Sequence, residues 1–465
     1  MKFGGTSVGS VPALKNVLQI VTDVRARWPQ VVVVTSALSG VTNLLLDGCQ
    51  RALEQEKAFI SQIEVQLERM HQTIADELIH DEKQRAAVRQ DIGRLIETYG
   101  GLCRAMAVLG QSTPQSIDAV ASLGERMSVR LLAAALQSHG LAAQFVEASE
   151  MIITDDKYQG AHPIFERTNQ QVQEKLLPMF NLGHIPVVTG FMAATEKGTI
   201  TTLGRGGSDY TAAIVGSALQ AEEVWIWTDV DGVMSSDPRV VPDAHTIPEL
   251  SYREVAEMAH FGAKVLHPKT IRPVIEAGIS LRVCNTFNPA HPGTQIVQKS
   301  DVVAKGSIKA VTAIEQQRLI TIEGRGMLGV PGLAARAFGT VAAINQSVIL
   351  ISQASSEQSI CFALHAEAAD PVLEALEQTF AEELKVRDID RIWATAEVVI
   401  ITVVGAGMRN TPGIAGRIFT ALGQEGLNVI AIAQGSSEVS ISFIVSAEDA
   451  AGAIRAVHRL IQSTR

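Results

Sequence analysis

The last third of the chain contains an internal repeat, which restricts the possible folds more than any other feature of the sequence. Residues 322–364 align without gaps onto residues 403–445, with 18 identities in 43 positions. Each copy has the pattern strand, glycine-rich turn, helix, strand, turn, strand and helix, which predicts a β-α-β-β-α-β ferredoxin-like unit. The sequence therefore predicts two similar small α/β domains that can face each other.

The first 300 residues have a different pattern, in which short apolar runs alternate with helical segments. We predict strands near residues 31–35, 143–146, 185–189, 224–228 and 280–283. Helices are predicted near residues 45–80, 82–110 and 122–138. In the first of these helices, apolar residues recur at spacings of three, four and seven. Strands separated by helices indicate an α/β domain with a mostly parallel sheet that is covered by helices on both faces.

Composition and charge exclude several classes of partner. The chain has 39 basic and 49 acidic residues and a net charge of −10, without a block of lysines or arginines, so nucleic-acid binding is not expected. No apolar run reaches the roughly 18 residues of a membrane span, and the first residues lack the apolar core of a signal peptide. The cysteines, Cys49, Cys103, Cys284 and Cys361, are far apart in the sequence, which predicts four reduced buried thiols in a cytoplasmic protein.

Residues 2–7, KFGGTS, have the composition of a phosphate-binding turn. The glycines allow backbone N–H groups to approach phosphate oxygens, and Lys2 adds a positive charge. A plain glycine turn without a ligand is the alternative interpretation. The dipeptide Gly-Lys of a Walker A loop is absent from the sequence, and so are the HRD and DFG motifs, which disfavours P-loop proteins and protein kinases.

Further polar motifs follow predicted strands or begin predicted helices. In residues 203–209, LGRGGSD, Arg205 and the N–H groups after it suit an anion, and Asp209 is either a ligand-site residue or the N-cap of a helix. Thr228 and Asp229 end a strand, where ligands bind in open parallel sheets. Lys264 suits a polyphosphate and Glu125 lies at the start of a helix, although each is by default an ordinary surface residue.

A glycine pattern in the first repeat matches the dinucleotide-binding fingerprint but lacks its other features. Gly324, Gly326 and Gly329 have the required spacing, whereas the second copy has Asn410 in place of the third glycine. No acidic residue lies about 20 positions further on, near Asn345. We therefore predict a tight turn into a helix whose N–H groups can bind an anion or carboxylate.

Six motifs together resemble the aspartokinases of the amino-acid kinase superfamily, in the order and at the spacing of that family. They are KFGGTSV, SALSGVTN, SLGERMS, TTLGRGGSDYTAA, WTDVDGV followed by DPR, and FGAKVLHPKT. The doubled C-terminal unit resembles the paired ACT domains of the same family. The resemblance covers essentially the whole chain and is closest to the aspartokinase part of bifunctional aspartokinase–homoserine dehydrogenases. It implies ATP-dependent phosphorylation of the L-aspartate β-carboxylate to 4-phospho-L-aspartate, the first step of lysine, threonine and methionine biosynthesis.

The resemblance also implies a role for each motif residue. By the family pattern, Lys2 stabilises charge on the transferring phosphoryl group, and Asp209 orients the reacting groups. Aspartate is expected at Ser36, Thr42, Glu125, Arg205, Gly206, Gly207 and Ser208, with Arg205 on its α-carboxylate and Glu125 on its amino group. ATP is expected at Gly4, Gly5, Thr228, Asp229, Met234, Arg239, Lys264 and Val265. Mg²⁺ is expected to bridge the β- and γ-phosphates, held mostly by nucleotide and water, with no metal site made by the protein itself.

Two departures from the family pattern concern the catalytic region. Met234 stands where a tyrosine is common, which removes a stacking or hydroxyl contact to the nucleotide. Lys2 is preceded by a single residue, whereas the family has several strand residues before this lysine, so we expect either an upstream start or a shortened first strand. At the other end, Arg465 stands about where the bifunctional enzymes continue into their dehydrogenase.

A third departure concerns the effector. Lysine-sensitive members of the family carry an aspartate where this chain has Ile349, so the partner for a lysine ammonium is missing. Gln353 and Gln434 occupy equivalent positions in the two repeats, as in the threonine-sensitive type found in the bifunctional enzymes. With Ser347 and Asn428 they predict an allosteric site for threonine. The alternative is that these glutamines only satisfy backbone groups at a turn.

We predict a kinase domain at residues 1–300 and a regulatory region at residues 301–465. By the family arrangement one ACT unit is inserted in the other, so the first covers about 317–394 and the second combines 305–315 with 397–465. Paired ACT domains generally associate across chains, so we expect a homo-oligomer. The alternatives are a kinase for glutamate, carbamate or a nucleotide, a non-catalytic amino-acid sensor, and a fragment of the bifunctional enzyme.

Overall fold

The computed structural model groups the chain into two compact units. It describes residues 1–263, 266–298, 307–328, 330–353, 358–408, 411–434 and 439–462. The first unit consists of Met1–Val233, Thr246–Tyr252 and Val265–Lys299, and the second of Met234–His245, Arg253–Lys264 and Ser300–Arg465. Two segments that the sequence prediction placed before residue 300 therefore group with the second unit. Among the described residues, no helix has the length and apolar character needed to cross a bilayer.

The first unit contains strands separated by helices, as the alternating sequence pattern predicts. Its strands are β1 (Lys2–Phe3), β2 (Val33–Thr35), β3 (Ala143–Val146), β4 (Ile153–Thr154), β5 (Ile185–Thr189), β6 (Met192–Thr195), β7 (Ile200–Thr202), β8 (Glu223–Thr228), β9 (Glu249–Ser251), β10 (Ser280–Asn285) and β11 (Thr294–Val297). Its helices are α1 (Gly5–Val8), α2 (Val11–Arg27), α3 (Val41–Leu53), α4 (Lys57–Leu78), α5 (Glu82–Leu109), α6 (Pro114–Ala121), α7 (Leu123–Ser138), α8 (Phe165–Asn181), α9 (Gly207–Ala218), α10 (Tyr252–His260, which continues into the second unit) and α11 (Pro268–Glu276).

The main sheet of the first unit has the strand order β3-β5-β2-β1-β8-β10-β11-β9. The pairs from β3 to β10 are parallel, and so is β11 with β9, whereas β10 and β11 are antiparallel. The predicted mostly parallel sheet is thus confirmed. Strand β5 is buried along its whole length, which explains its continuous apolar sequence. A smaller sheet contains β4, β6 and β7.

The short strand β1 lies in the middle of this sheet. Lys2 is opposite Val34 of β2 on one side and Ile226 of β8 on the other. Phe3 is fully buried, and its ring stacks on Trp227 with the centroids 5.9 Å apart. These contacts place the turn that follows β1 at the carboxyl edge of the sheet, between the parallel strands β2 and β8.

One predicted helix proves to be two. The amphipathic pattern predicts a single helix over residues 45–80, but the structure ends α3 at Leu53 and begins α4 at Lys57. The break contains Gln55, whose φ of 68° is left-handed and incompatible with a continuous helix. The two helices then pack on each other and on α5, which keeps their apolar faces in one core.

The second unit contains one antiparallel sheet with helices. Its strands are β12 (Ile308–Glu323), β13 (Leu350–Gln353), β14 (Ser359–His365), β15 (Arg391–Ala394), β16 (Val398–Gly405), β17 (Ala431–Ala433) and β18 (Ser440–Ser446). Its further helices are α12 (Leu333–Ala343), α13 (Ala366–Thr379), α14 (Ala381–Val386), α15 (Ile414–Gln424) and α16 (Ala450–Gln462). The strand order is β13-β14-β12-β16-β18-β17, with β15 also paired to β12.

The long strand β12 is shared by the two repeats. Its first half pairs with β16, and its second half pairs with β14 and β15. Each repeat packs an aromatic pair at equivalent positions. Phe338 lies edge-on to Phe362 with centroids 5.6 Å apart, and Phe419 lies edge-on to Phe443 at 6.0 Å. The duplication seen in the sequence is therefore also a duplication of the core packing.

The glycines of the fingerprint-like pattern have a structural explanation. A methyl group on Gly324 would lie 2.3 Å from the carbonyl oxygen of Asp388, and one on Gly326 would lie 2.5 Å from the Cα of Asp388. Both glycines are thus required by a close approach of two backbone segments. The third glycine, Gly329, lies outside the described residues.

Candidate active site

A cavity of about 650 Å³ opens at the carboxyl edge of the main sheet of the first unit. It lies where β1, β2 and β8 end, which is the position at which open parallel sheets bind ligands. Most of the predicted site residues line it. They are Lys2, Gly4, Gly5, Ser36, Thr42, Glu125, Arg205, Gly206, Gly207, Ser208, Asp209, Thr228 and Asp229.

Two predicted nucleotide residues, Met234 and Arg239, are not among the lining residues of this cavity. Met234 and Arg239 belong to the second unit. The exposed guanidinium of Arg239 pairs with Asp237 at 2.6 Å, and this hydrogen-bonded partner raises the pKa of Arg239. Lys264 and Val265 lie outside the described residues. The structure thus brings the phosphate end of the predicted site together, without Met234 and Arg239 among the residues that line it.

Lys2 and Asp209 form an ion pair inside the cavity. The Lys2 Nζ atom is 2.6 Å from the Asp209 Oδ1 atom, and the two side chains are only 12% and 16% exposed. Lys2 comes from the central strand β1, and Asp209 from the first turn of α9. The N-cap of α9 is Gly206, so Asp209 does not act as the cap that the sequence left open. The Asp209 carboxylate instead holds the Lys2 ammonium at the carboxyl end of the sheet.

Two helices begin at the cavity with glycine N-caps. Gly40 precedes α3 with a φ of 81°, and Gly206 precedes α9 with a φ of 70°, so both caps adopt a left-handed conformation that favours glycine. Neither cap offers a side chain to the first N–H groups of its helix. These N–H groups have no partner within the helix and carry the positive end of its dipole. The cavity therefore has two places that suit a phosphate or a carboxylate.

Glu125 is the buried acid of the cavity. It lies in the first turn of α7, is 3% exposed, and accepts a hydrogen bond from the Ala37 N–H at 3.2 Å through Oε1. Its Oε2 atom has no hydrogen-bond partner in the part of the chain that the structure describes. Burial raises the pKa of Glu125 to about 8, against the opposing effect of its backbone hydrogen bonds. An oxygen of this kind is suited to bind a cationic group of a ligand.

Arg205 stands at the rim of the same cavity. It is exposed, and it makes no ion pair with any residue that the structure describes. It immediately precedes the glycine cap of α9, so its guanidinium and the helix N-terminus belong to one local positive region. This arrangement can bind a carboxylate in the cavity that Glu125 also lines.

The cavity also contains residues that the sequence analysis did not select. They include Thr6, Ser39, Asn43 and Phe191. Asn43 belongs to the motif SALSGVTN, so the motif itself contained the signal. Phe191 has no such signal. It adopts a φ of 64°, and its backbone is fixed by the Thr211 hydroxyl, which accepts from the Phe191 N–H at 3.1 Å.

The predicted effector residues lie in the second unit and are mostly exposed. Gln353 ends β13 and Gln434 follows β17, while Ser347 and Asn428 precede these strands. Ile349 is half-buried against the sheet. The two strands come close to each other, since the Ser352 hydroxyl donates to the Ile432 carbonyl at 3.5 Å. The Ser-Ser-Glu segments of both repeats lie outside the described residues.

Comparison with known families and proteins agrees with this architecture. A model described as the amino acid kinase family matches residues 1–285. A model described as an ACT domain matches twice, at residues 320–380 and 401–460.

Related proteins extend over nearly the whole chain. Bifunctional aspartokinase/homoserine dehydrogenase 2, chloroplastic, of Arabidopsis thaliana is 36% identical over 462 residues, covering 98% of this chain and 50% of that protein. Aspartokinase 1, chloroplastic, of the same plant is 33% identical over 468 residues, covering 99% of this chain and 79% of that protein. The chain thus spans about half the length of its bifunctional relatives.

Solved structures of aspartokinases superpose over the full length. Escherichia coli aspartokinase III in complex with aspartate and ADP gives a TM-score of 0.79 at 31% identity, covering 99% of both chains. The same enzyme in complex with lysine and aspartate gives 0.77 at 32% identity, covering 99% of this chain and 98% of that one. Together with the two family matches and the cavity at the end of β1, these similarities show that the chain belongs to the amino acid kinase family, among the aspartokinases, and continues into two ACT domains.

Proposed function

We propose that the protein is an aspartate kinase, which transfers the γ-phosphoryl group of ATP to the β-carboxylate of L-aspartate and forms 4-phospho-L-aspartate and ADP. The observation that carries this proposal is the nearly buried Lys2–Asp209 pair in a cavity that also receives two helix N-termini. The full-length similarity to an aspartokinase that was solved with aspartate and ADP supports it.

Lys2 has the position that phosphoryl transfer requires. Such a reaction needs little covalent chemistry from the protein, but it needs in-line placement and positive charge on the equatorial oxygens. The Lys2 ammonium supplies this charge, and the backbone of Gly4 and Gly5 follows it directly in the cavity wall. Asp209 fixes the ammonium by the 2.6 Å contact and thereby orients it toward the phosphate.

Glu125 and Arg205 provide opposite charges for an α-amino acid. The unpartnered Oε2 of Glu125 accepts the substrate ammonium, which explains why an acid is buried there at a cost in free energy. Arg205 and the N-terminus of α9 bind the α-carboxylate. Ser36, Thr42 and Ser208 then surround the side chain of the substrate, with Gly206 and Gly207 supplying backbone contacts.

The nucleotide binds beside Thr228 and Asp229 at the end of β8. Met234, Arg239, Lys264 and Val265 remain predicted nucleotide residues. Mg²⁺ is proposed to enter with ATP. The Asp229 carboxylate lines the cavity and is an oxygen donor of the type that Mg²⁺ prefers, so the site fits an ion that nucleotide and water mostly hold. When bound, Mg²⁺ neutralises charge on the β- and γ-phosphates.

Regulation is proposed to act at the ACT domains. Threonine is the preferred effector because Ile349 offers no carboxylate to a lysine ammonium. The same resemblance supports a place in lysine, threonine and methionine biosynthesis and a homo-oligomer. A fragment of a bifunctional enzyme remains the alternative. A cytoplasmic location remains a prediction, and the plant relatives are named chloroplastic.

The proposal is tested by measuring ADP release with a panel of acceptors. We expect release with ATP and L-aspartate, and little with glutamate, carbamate or a nucleoside monophosphate. Preference for another acceptor would assign the chain to a different amino-acid kinase. Binding of amino acids without ADP release from any acceptor would favour the non-catalytic sensor instead.

A further inference from the structure

Cys49 and Cys103 are far apart in the sequence but meet in the core of the first unit. Cys49 lies on α3 and Cys103 on α5, and their sulfur atoms are 3.7 Å apart. Both residues are buried, with exposed fractions of 1% and 0%. The sulfur atoms are therefore in van der Waals contact. A disulfide between them requires an approach of about 1.6 Å, to the bond length of about 2.05 Å.

The contact between the two thiols is fixed by close packing of the helices. Gly48 precedes Cys49, and a methyl group on it would lie 1.8 Å from the Tyr99 hydroxyl oxygen and 2.6 Å from Ile63 Cδ1. Only glycine leaves room for the fully buried Tyr99 at this point. Tyr99 lies four residues before Cys103, on the same face of α5. The backbone of α3 and α5 thus holds the two sulfur atoms together.

The two thiols share one hydrogen bond, and either sulfur can be its donor. Accepting this bond lowers the pKa of the Cys103 thiol, although burial opposes the effect. The same hydrogen bond, together with burial, raises the pKa of Cys49 above its usual range. Since the thiolate is the reactive form, the sulfur that accepts the hydrogen bond is the first of the two to react.

Helix α3 connects the thiol pair to the candidate active site. The helix begins at Val41 after the cap Gly40, and Thr42 and Asn43 in its first turn line the cavity. Cys49 lies about two helical turns further along the same helix. A movement of Cys49 toward α5 is therefore transmitted along a short, rigid element to residues of the cavity wall.

We propose that Cys49 and Cys103 form a redox-responsive dithiol, which a hydroperoxide converts into an intramolecular disulfide that weakens aspartate binding through α3. In the first step the sulfur that accepts the hydrogen bond, as a thiolate, attacks a peroxide oxygen and becomes a sulfenic acid. The O–O bond breaks, and the other oxygen takes up a proton and leaves as water from hydrogen peroxide or as an alcohol from an organic hydroperoxide. In the second step the sulfur of the other cysteine attacks the sulfenic sulfur, its thiol proton joins the leaving hydroxide as water, and the S–S bond forms. The thiols lose two electrons, which reduce the peroxide.

Peptide mapping tests the formation of the disulfide. The full chain is treated with hydrogen peroxide, then denatured, alkylated and digested, and the peptides are identified by mass spectrometry. We expect one peptide pair joined through Cys49 and Cys103, which dithiothreitol separates by thiol–disulfide exchange. Cys49→Ser and Cys103→Ser should each abolish it. Cys361→Ser, at a half-buried position on β14, is the matched control and should retain it.

Kinetics test the effect on the site, and this part rests on the proposed function. The aspartate KM of the oxidised protein should rise about fivefold or more, and dithiothreitol should restore the KM of the reduced protein. The Cys361→Ser protein should show the same rise and the same recovery as the wild type. Oxidation of Cys361 without a Cys49–Cys103 link would overturn the dithiol, and a complete link with an unchanged KM would overturn its coupling to aspartate. Turnover of the reduced wild type tests the proposed function separately from the dithiol. Peptide mapping of the oxidised wild type still tests the disulfide if the cysteine variants fail to fold.

Discussion

The cavity of the first unit and the predicted effector surface of the second differ in how their polar groups are held. In the cavity, Lys2, Asp209 and Glu125 are charged or titratable side chains with little exposure, held by each other or by backbone. On the effector surface, Gln353 and Gln434 are exposed. Burying charge costs free energy, so the first arrangement needs a functional explanation, whereas exposed amides need none. The buried charges of the cavity therefore argue for a ligand site there, whereas the exposure of the two glutamines gives no such argument for the effector site.

A second difference lies within the duplicated unit. Both repeats have the same aromatic pair, but among the described residues it is the core of the second repeat that also contains part of segment 234–245, which follows β8. Val241 of that segment is buried there, and the Ser235 hydroxyl is 2.9 Å from the His458 Nε2 atom on α16. The first repeat instead packs α14, with an ion pair between Arg336 and Glu383. Duplication thus produced two similar cores with different surroundings.

The largest change in activity is expected for Lys2, and it tests whether the cavity is a catalytic site or an ordinary cluster of polar residues. Lys2→Ala should lower kcat by about 10²–10³-fold or more, because it removes a cation from the phosphoryl group in the transition state. Far-UV circular dichroism should be unchanged. Lys15→Ala, at an exposed position of α2, is the control and should keep its activity. Near-normal turnover of the Lys2 variant would contradict the role of the cavity.

A smaller effect is expected for the carboxylate site. Arg205→Ala should raise the aspartate KM by about 10–100-fold with little change in kcat, because it removes a charged hydrogen bond that is made in ground and transition states alike. The ATP KM should be unaffected. Arg272→Ala, which removes an exposed arginine of α11 that pairs with Glu276, is the control. A change confined to the ATP KM would show that the substrate and nucleotide ends are exchanged.

The raised pKa of Glu125 predicts how aspartate binding and stability change with pH. Its pKa is raised to about 8, so the folded state binds a proton that the unfolded state releases from about pH 4.5 upward. Its contribution to stability therefore falls as pH rises through this window. Aspartate binding needs the carboxylate, so the aspartate KM should fall by up to about tenfold per pH unit between about pH 6 and pH 8.

The control for this prediction is Glu125→Gln, which keeps the shape but does not titrate. It should bind aspartate weakly and show neither the decline of thermal stability with pH nor the pH dependence of KM. A pH profile identical to that of the wild type would assign the titration to another group.

Sequence reasoning located the cavity because its residues follow strands directly. Ser36 and Asp229 directly follow runs that the sequence predicts as strands, and parallel topology brings such ends together. Lys2 is selected from its glycine-rich motif and the family resemblance, because the strand that contains it has only two residues. The same reasoning joined α3 to α4, because the apolar periodicity continues across Gln55. It also missed the contact between Cys49 and Cys103, which depends on the packing of separate helices. Local sequence patterns predict where strands end and which face of a helix is buried, but they do not predict contacts between segments that are distant in the sequence.

The smallest expected effect concerns the effector surface and tests whether its repeated glutamines form a site. Gln353→Ala and Gln434→Ala should each raise the threonine concentration for half-inhibition by about fivefold or more, the lower end of typical allosteric coupling. Uninhibited turnover should stay nearly the same, because both amides are exposed in the second unit. Gln424→Ala, an exposed glutamine at the end of α15, is the matched control. Threonine titrations at fixed aspartate and ATP measure the effect. Inhibition by lysine but not by threonine would refute threonine as the effector, because that prediction rests on Ile349 offering no carboxylate to a lysine ammonium. Unchanged threonine sensitivity in both variants would mean that the two glutamines are only turn residues.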